Sequence, residues 1–410
     1  MSFTSRFLSI ACLFLSSLAF VNQTSAKEPA AYDPSPNVMH HIGDAHEFHL
    51  FGPFVVPLPC ILYAPDKGVS LFMSSKFEEG SKAVDGYALD HGLVKRIKDF
   101  PVAQGETELE AVDQEPSGDK LFIKETQDEA THKDKNFVKY EGKEYELEES
   151  SKLTGLSSWY DFSITKNVFS MIFATILLFY IFTTVAKSYK TREGKAPKGL
   201  QSVMEPLFIF VRDEIAKPAI GPKYEKYMPF ICALFFFILI NNVMGLIPIF
   251  PFGGNVMGNV GTTAVMALIT FVIVNVNGNK HYWGHIFWMP GVPLPIKILM
   301  APIEIMGIFI KPFTLLIRLF ANIVAGHTSI LILVSLIFLF GEVGKNLVGA
   351  GLGALIAIPF VAFMNILEIL VAVLQAFIFA LLSALYIGAA IEDHTPHVLS
   401  HGEAHEHSME

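Results

Sequence analysis

The sequence predicts an all-α polytopic membrane protein preceded by a small, strand-rich domain. Three observations lead there. Charged residues crowd into the first 160 positions and into 187–227, whereas 228–391 is almost continuously apolar. Five stretches after residue 160, 168–186, 228–247, 262–276, 296–340 and 346–391, read as apolar membrane segments. The chain also opens with Arg6, an apolar core over 7–21 and the small residues Thr24-Ser-Ala26, the pattern of an export signal ending at Ala26.

Composition supports the division. Of 410 residues, 52% are hydrophobic and 17% charged, an average over two unlike halves. The net charge of −9 offers no footing for nucleic acid. Cys12, Cys60 and Cys232 are spaced for neither a disulfide framework nor a metal site. No Gly-x-x-x-x-Gly-Lys-Ser/Thr loop is present, so no bound nucleotide or other cofactor is expected.

Residues 27–160 should form an exported, periplasmic domain. Short alternating runs at 60–64, 69–73, 121–124 and 137–140 read as strands, and the acidic stretch 106–119 reads as loop. His40, His41, His46 and His49 invite a metal, but a solvated polar approach to a strand is the simpler reading.

Residues 161–392 form the expected membrane domain. The first segment, 168–186, is followed by nine Lys and Arg residues between 187 and 226, which places that connection in the cytoplasm. Within it, 205–215 is amphipathic and suits the bilayer surface. The next two segments are joined by 248–261, which carries no charge. Residues 280–288 bring Lys280, Trp283 and Trp288 and read as an interfacial loop on the cytoplasmic side, its His281 and His285 solvated. The last two segments, of about 45 residues each, would reach ~67 Å as helices against ~30 Å of hydrocarbon. They are expected as a long, steeply tilted hairpin turning near 341–345. Residues 393–410, rich in His and without Lys or Arg, should be a polar cytoplasmic tail.

The chemistry lies in the hairpin. Arg318 sits in the middle of an apolar run, where a guanidinium costs roughly 2.5–3.5 kcal/mol and normally faces protein, water or a carboxylate. At ~100° per residue, Glu304, Lys311, Arg318, Asn322 and Ser329 share about one quadrant of a helix. Downstream, Asn365, Glu368 and Gln375 share another face. Facing each other, the two seams would line one hydrated slot that includes His327 and Glu368, side chains able to hold and pass protons. Lys311, near a helix end, can also be read as snorkelling to the interface.

The runs Arg318-Leu-Phe-Ala-Asn322-Ile-Val-Ala-Gly-His327 and Leu374-Gln375-Ala-Phe-Ile-Phe-Ala-Leu-Leu closely resemble the signatures of subunit a of the rotary, F-type ATP synthase of bacteria. The resemblance covers about 160–392, with Glu304 and Asn242 included. It implies a non-catalytic stator subunit of the inner membrane. In that family the arginine faces the carboxylate of a rotating ring of c subunits, and two half-channels meet near it. Implied partners are that ring, the peripheral-stalk b subunits and the remainder of the complex. The resemblance further implies channel roles for Asn322, His327, Glu368, Gln375, Glu304 and Asn365, with Glu304 on the inner path. Many bacterial members carry an acid at the position of His327 and a histidine at that of Glu368, so acid and imidazole are exchanged here. Gly245 stands where some members carry an acid, so no proton role passes to it. A self-contained transporter would predict an inverted repeat, which the chain does not show. A mere membrane anchor for the exported domain would leave Arg318 unexplained.

Overall fold

The computed structural model describes residues 43–51, 54–90, 92–102, 104–114, 120–127, 134–150, 158–247, 253–288, 293–342 and 345–392. The expected leader, His40, His41 and the His-rich tail lie outside them.

The N-terminal region is built of antiparallel strands. Pro59–Ala64 pairs with both Gly68–Met73 and Tyr160–Asp161. Alternation divides this three-stranded sheet: Cys60, Leu62, Ala64 and Phe72 point inward against the fully buried Trp159, while Val69 and Leu71 stay exposed on the other face. A seven-stranded sheet lies beside it and buries Ala88, Ile97 and Val138. Two sequence expectations need correction. Within the expected acidic loop, Glu106–Glu108 is an edge strand on Lys82–Val84, and Asp113–Gln114 pairs with Lys120–Leu121. An edge strand needs only one apolar side, and Glu108 opposite Lys82 shows how charge is accommodated there. The expected strand 121–124 is broken at Phe122, its two parts joining different sheets.

The remainder is helical. Helix α1, Lys166–Thr191, follows directly from the last strand. Helix α2, Leu200–Phe210, runs through a π-helical segment, Val211–Ala216, into Lys217–Ile220. Gly221 breaks the path at φ +75°, a conformation that suits glycine. Helix α3, Tyr224–Gly245, leads to α4, Val260–Val276, whose first turn is capped by Asn259 accepting from the Gly261 amide at 2.8 Å. Helix α5, Lys280–Phe287, replaces the expected interfacial loop. Its aromatic stripe gives the reason: Trp283 stacks on Phe287 one turn later, and Ile286 is buried. Helices α6, Leu294–Phe340, and α7, Leu347–Ile391, form the hairpin.

Among the described residues four helices are long and apolar enough to cross a membrane, with Leu200–Gly245 counted as one, or five if the pair α4 and α5, bent by 101°, counts as one span. The expected segment 262–276 lies in that pair. In α6 the buried residues Ile308, Leu315, Leu319 and Ile323 follow one stripe that packs on α7. Only 6% of the most apolar window of α6 is buried within the chain, against 39% for α7. A long flank of α6 is thus left for surroundings outside this chain. At the far end, α7 is clamped. The amide and side chain of Asn279 donate to the carbonyls of Ala390 and Ile391, both at 2.9 Å, and Gly388 lies so close to Ala219 that a side chain there would strike its carbonyl.

Candidate functional site

Arg318 lies half-buried on α6, midway between two polar groups of residues. Among the described residues, no carboxylate lies within ion-pair distance of it and no hydrogen bond holds its guanidinium. Asn322, one turn on, is exposed on the same side. Arg318 and Asn322 are therefore open to a neighbour from outside the chain.

Toward the N-terminus of α6, about 14 residues or ~21 Å from Arg318, Glu304 lines a cleft of about 280 Å³ with His281, His285 and Lys311. The Lys311 ammonium reaches 5.5 Å from the ring centroid of Tyr386, and Tyr386 is in turn within electrostatic reach of Arg318. Lys311, read from sequence as a snorkelling residue, faces this interior cleft instead.

His327 and Glu368 meet on the other side of α6. Nδ1 of His327 is 3.9 Å from Oε1 of Glu368, whose side chain is 4% exposed. Gly326 makes the approach possible: a Cβ there would sit 3.3 Å from Oε1. Nine residues at ~100° each turn His327 about half a revolution from Arg318. By that count the pair lies on a different side of α6 from the arginine. Gln375 is buried on the α7 face that carries Glu368. Asn242 of α3 donates to the Ala372 carbonyl at 3.1 Å, between these two levels. Asn365 uses its amide on the Val361 carbonyl of its own helix, 3.0 Å away.

A further group was not legible in the sequence. Lys166, at the start of α1, is 7% exposed and acts electrostatically on both His327 and Asp44. Around it, Thr165 Oγ1, Asn167 Oδ1, Ser170 Oγ, Asn242 Oδ1 and Asn255 Nδ2 are buried without a hydrogen-bond partner among the described residues, as is Glu368 Oε2. Buried polar atoms are seldom left so.

The family model described as ATP synthase A chain matches residues 168–388, more than half of the chain. The chain belongs to the ATP synthase subunit a family. A relative from Chlorobium phaeobacteroides (strain DSM 266), named ATP synthase subunit a, is 41% identical over 246 residues, 58% of this chain and 68% of the relative. One from Chloroherpeton thalassium is 39% identical over 252 residues, 60% and 72% of the two chains. The Myxococcus xanthus subunit a is 37% identical over 252 residues, 60% and 79%. Residues 37–122 match a separate domain family of unknown function. As an ATP synthase subunit a, the chain is a non-catalytic component of the membrane sector.

Proposed function

We propose that this subunit is the stator of a proton-translocating ATP synthase, and that Arg318 couples proton flow to rotation of a c-subunit ring. The observation that carries the reading is the guanidinium itself: mid-helix, half-buried, unpaired among the described residues, and with polar residues on α6 to either side of it.

A carboxylate carried by a ring helix through lipid is held protonated, because burial in hydrocarbon opposes its charge. Beside Arg318 the balance reverses. At ~4 Å and an effective dielectric near 20, the attraction is about 4 kcal/mol in favour of the ionised form. Arg suits the role because it stays charged and presents a planar donor fork. The proton released there leaves by one region, and the carboxylate is reloaded from the other. His327 and Glu368, too far apart at 3.9 Å for a direct hydrogen bond but close enough to hand over a proton after a small side-chain movement, serve the outer half-channel. Gln375 lines the contact zone, Asn322 orients groups beside the arginine, Asn365 supports the Glu368 face, and Glu304 with Lys311 serves the inner half-channel.

The exposed flank of α6 supports the same reading. Helices of 47 and 45 residues, ~70 Å and ~68 Å long, cannot stand upright in ~30 Å of hydrocarbon. Steeply tilted, the hairpin follows the curve of a ring. Peripheral-stalk b subunits and the rest of the complex complete the assembly. The positive connection after α1 orients the chain in a bacterial inner membrane, with 1–26 removed as a signal, the strand-rich domain periplasmic and the tail cytoplasmic.

Arg318→Ala tests the reading. The variant should insert and assemble while ATP-driven proton pumping and coupled synthesis vanish; undiminished pumping by an assembled Arg318→Ala complex would refute it.

A further inference from the structure

The N-terminal domain is joined to the membrane helices beside these buried polar atoms. Asp44 is the pivot. Its Oδ1 accepts from the Asn167 amide at 3.0 Å and its Oδ2 from Asn259 Nδ2 at 3.4 Å. The Lys166 amide donates to the Ala45 carbonyl at 2.8 Å, and Phe48 packs edge-on against Phe169, ring centroids 5.7 Å apart. One residue of the strand-rich domain thus ties together the start of α1 and the turn that opens α4.

From this pivot the buried polar atoms lead inward. Lys166 lies next to Asp44. Gly254 passes so close to Ser170 that a side chain at 254 would collide with it, and Gly245 of α3 lies against the Gly254 carbonyl. Asn242 follows one turn before Gly245 and reaches α7 at Ala372, one turn beyond Glu368. Lys166 also acts on His327 directly. Residues with an orphaned buried polar atom, Asn167, Ser170, Asn242 and Glu368, thus recur along the chain of contacts from Asp44 toward the His327–Glu368 pair.

We propose that Asp44 and Lys166 form the outer mouth of the ion path, so that the N-terminal domain supplies a charged group to proton uptake and is not merely attached beside it. This rests on the stator reading given above. The carboxylate stands outermost, where its negative charge attracts incoming protons. Lys166 stands next to it, electrostatically coupled to both Asp44 and His327.

The test uses the assembled complex and impermeant thiol reagents. Cys60 and Cys232 are both buried and provide a quiet background. Spheroplasts bearing Asp44→Cys are treated from outside with a charged methanethiosulfonate, washed and converted to inverted vesicles, and ATP-driven proton pumping is compared with that of unlabelled vesicles of the same variant. Labelling should lower pumping by about tenfold or more, and a thiol reductant should restore it, which damage to folding would not allow. Lys98→Cys, on an exposed side chain of the same domain, should label and keep its pumping. Should Asp44→Cys assemble poorly, Asn255→Cys carries the same test. Full pumping by a labelled complex, or no labelling at 44 while 98 labels, overturns the proposal and leaves the stator reading standing. Pumping by Arg318→Ala overturns the stator reading instead.

Discussion

Glu368 of α7 reaches under the Gly326 backbone of α6 to place its Oε1 3.9 Å from Nδ1 of His327. Two residues distant in sequence are thereby made neighbours in a place that Arg318 does not face. If they act together in proton transfer, the cost of losing one should not depend on which is lost. His327→Ala and Glu368→Ala should each slow ATP-driven pumping by roughly 10²-fold, the scale of a positioned acid or base. Exchanging the two, His327→Glu with Glu368→His, should recover a large part of that loss. Dye-quench assays on inverted vesicles of all three variants measure the coupling directly; an exchange as damaging as the alanines would separate the pair.

A second prediction concerns the glycines. Gly388 sits against the backbone of Ala219, where a methyl group has no room, whereas Gly351 meets nothing within 4 Å. Gly388→Ala should destabilise the detergent-solubilised complex by about 1–3 kcal/mol or prevent its assembly. Gly351→Ala should be neutral or stabilising by roughly 0.5–1 kcal/mol, since alanine favours the helix. Thermal unfolding midpoints of the two variants should move in opposite directions.

The pH dependence of the N-terminal domain should report a different pair. His46 Nε2 lies 3.0 Å from Asp161 Oδ2, both side chains buried. Burial pushes the Asp161 carboxyl up, but the hydrogen bond and charge of His46, helped by Ser163, outweigh it and hold the group below the usual carboxylate range. A folded value below the unfolded one means that the stabilisation is complete above ~pH 4 and is lost as pH falls through the lower, folded value. Acid unfolding followed by tryptophan fluorescence of Trp159 should show this loss. Asp161→Ala should remove about 3–5 kcal/mol at neutral pH, because it leaves a buried partner uncompensated.

Cys60 should be inert in the folded protein. Burial pushes its thiol up to about 12, with the nearby Asp161 and Glu47 charges adding to the effect. A maleimide at pH 8 should leave it unmodified until denaturant is added. Rapid labelling of native protein would show that the domain opens at Cys60.

Much of this was written in the chain. Apolar runs announced the long helices, and a guanidinium amid hydrocarbon announced its own importance. The match of acid to imidazole at His327 and Glu368 was also readable, through the resemblance. What local pattern does not contain is which residues of distant elements a helix face meets. The same holds for Asp44: the histidines around it draw the eye, whereas its own contacts are with Asn167 and Asn259, far along the sequence. For Lys280–Phe287, charge and aromatics suit an interface equally well as loop or as helix.

The fastening of α7 at Asn279 and Gly388 carries a mechanical meaning. A rod seated at one end resists sliding along its axis: the missing methyl at 388 acts as the notch that receives the Ala219 backbone, and the two Asn279 bonds close the end.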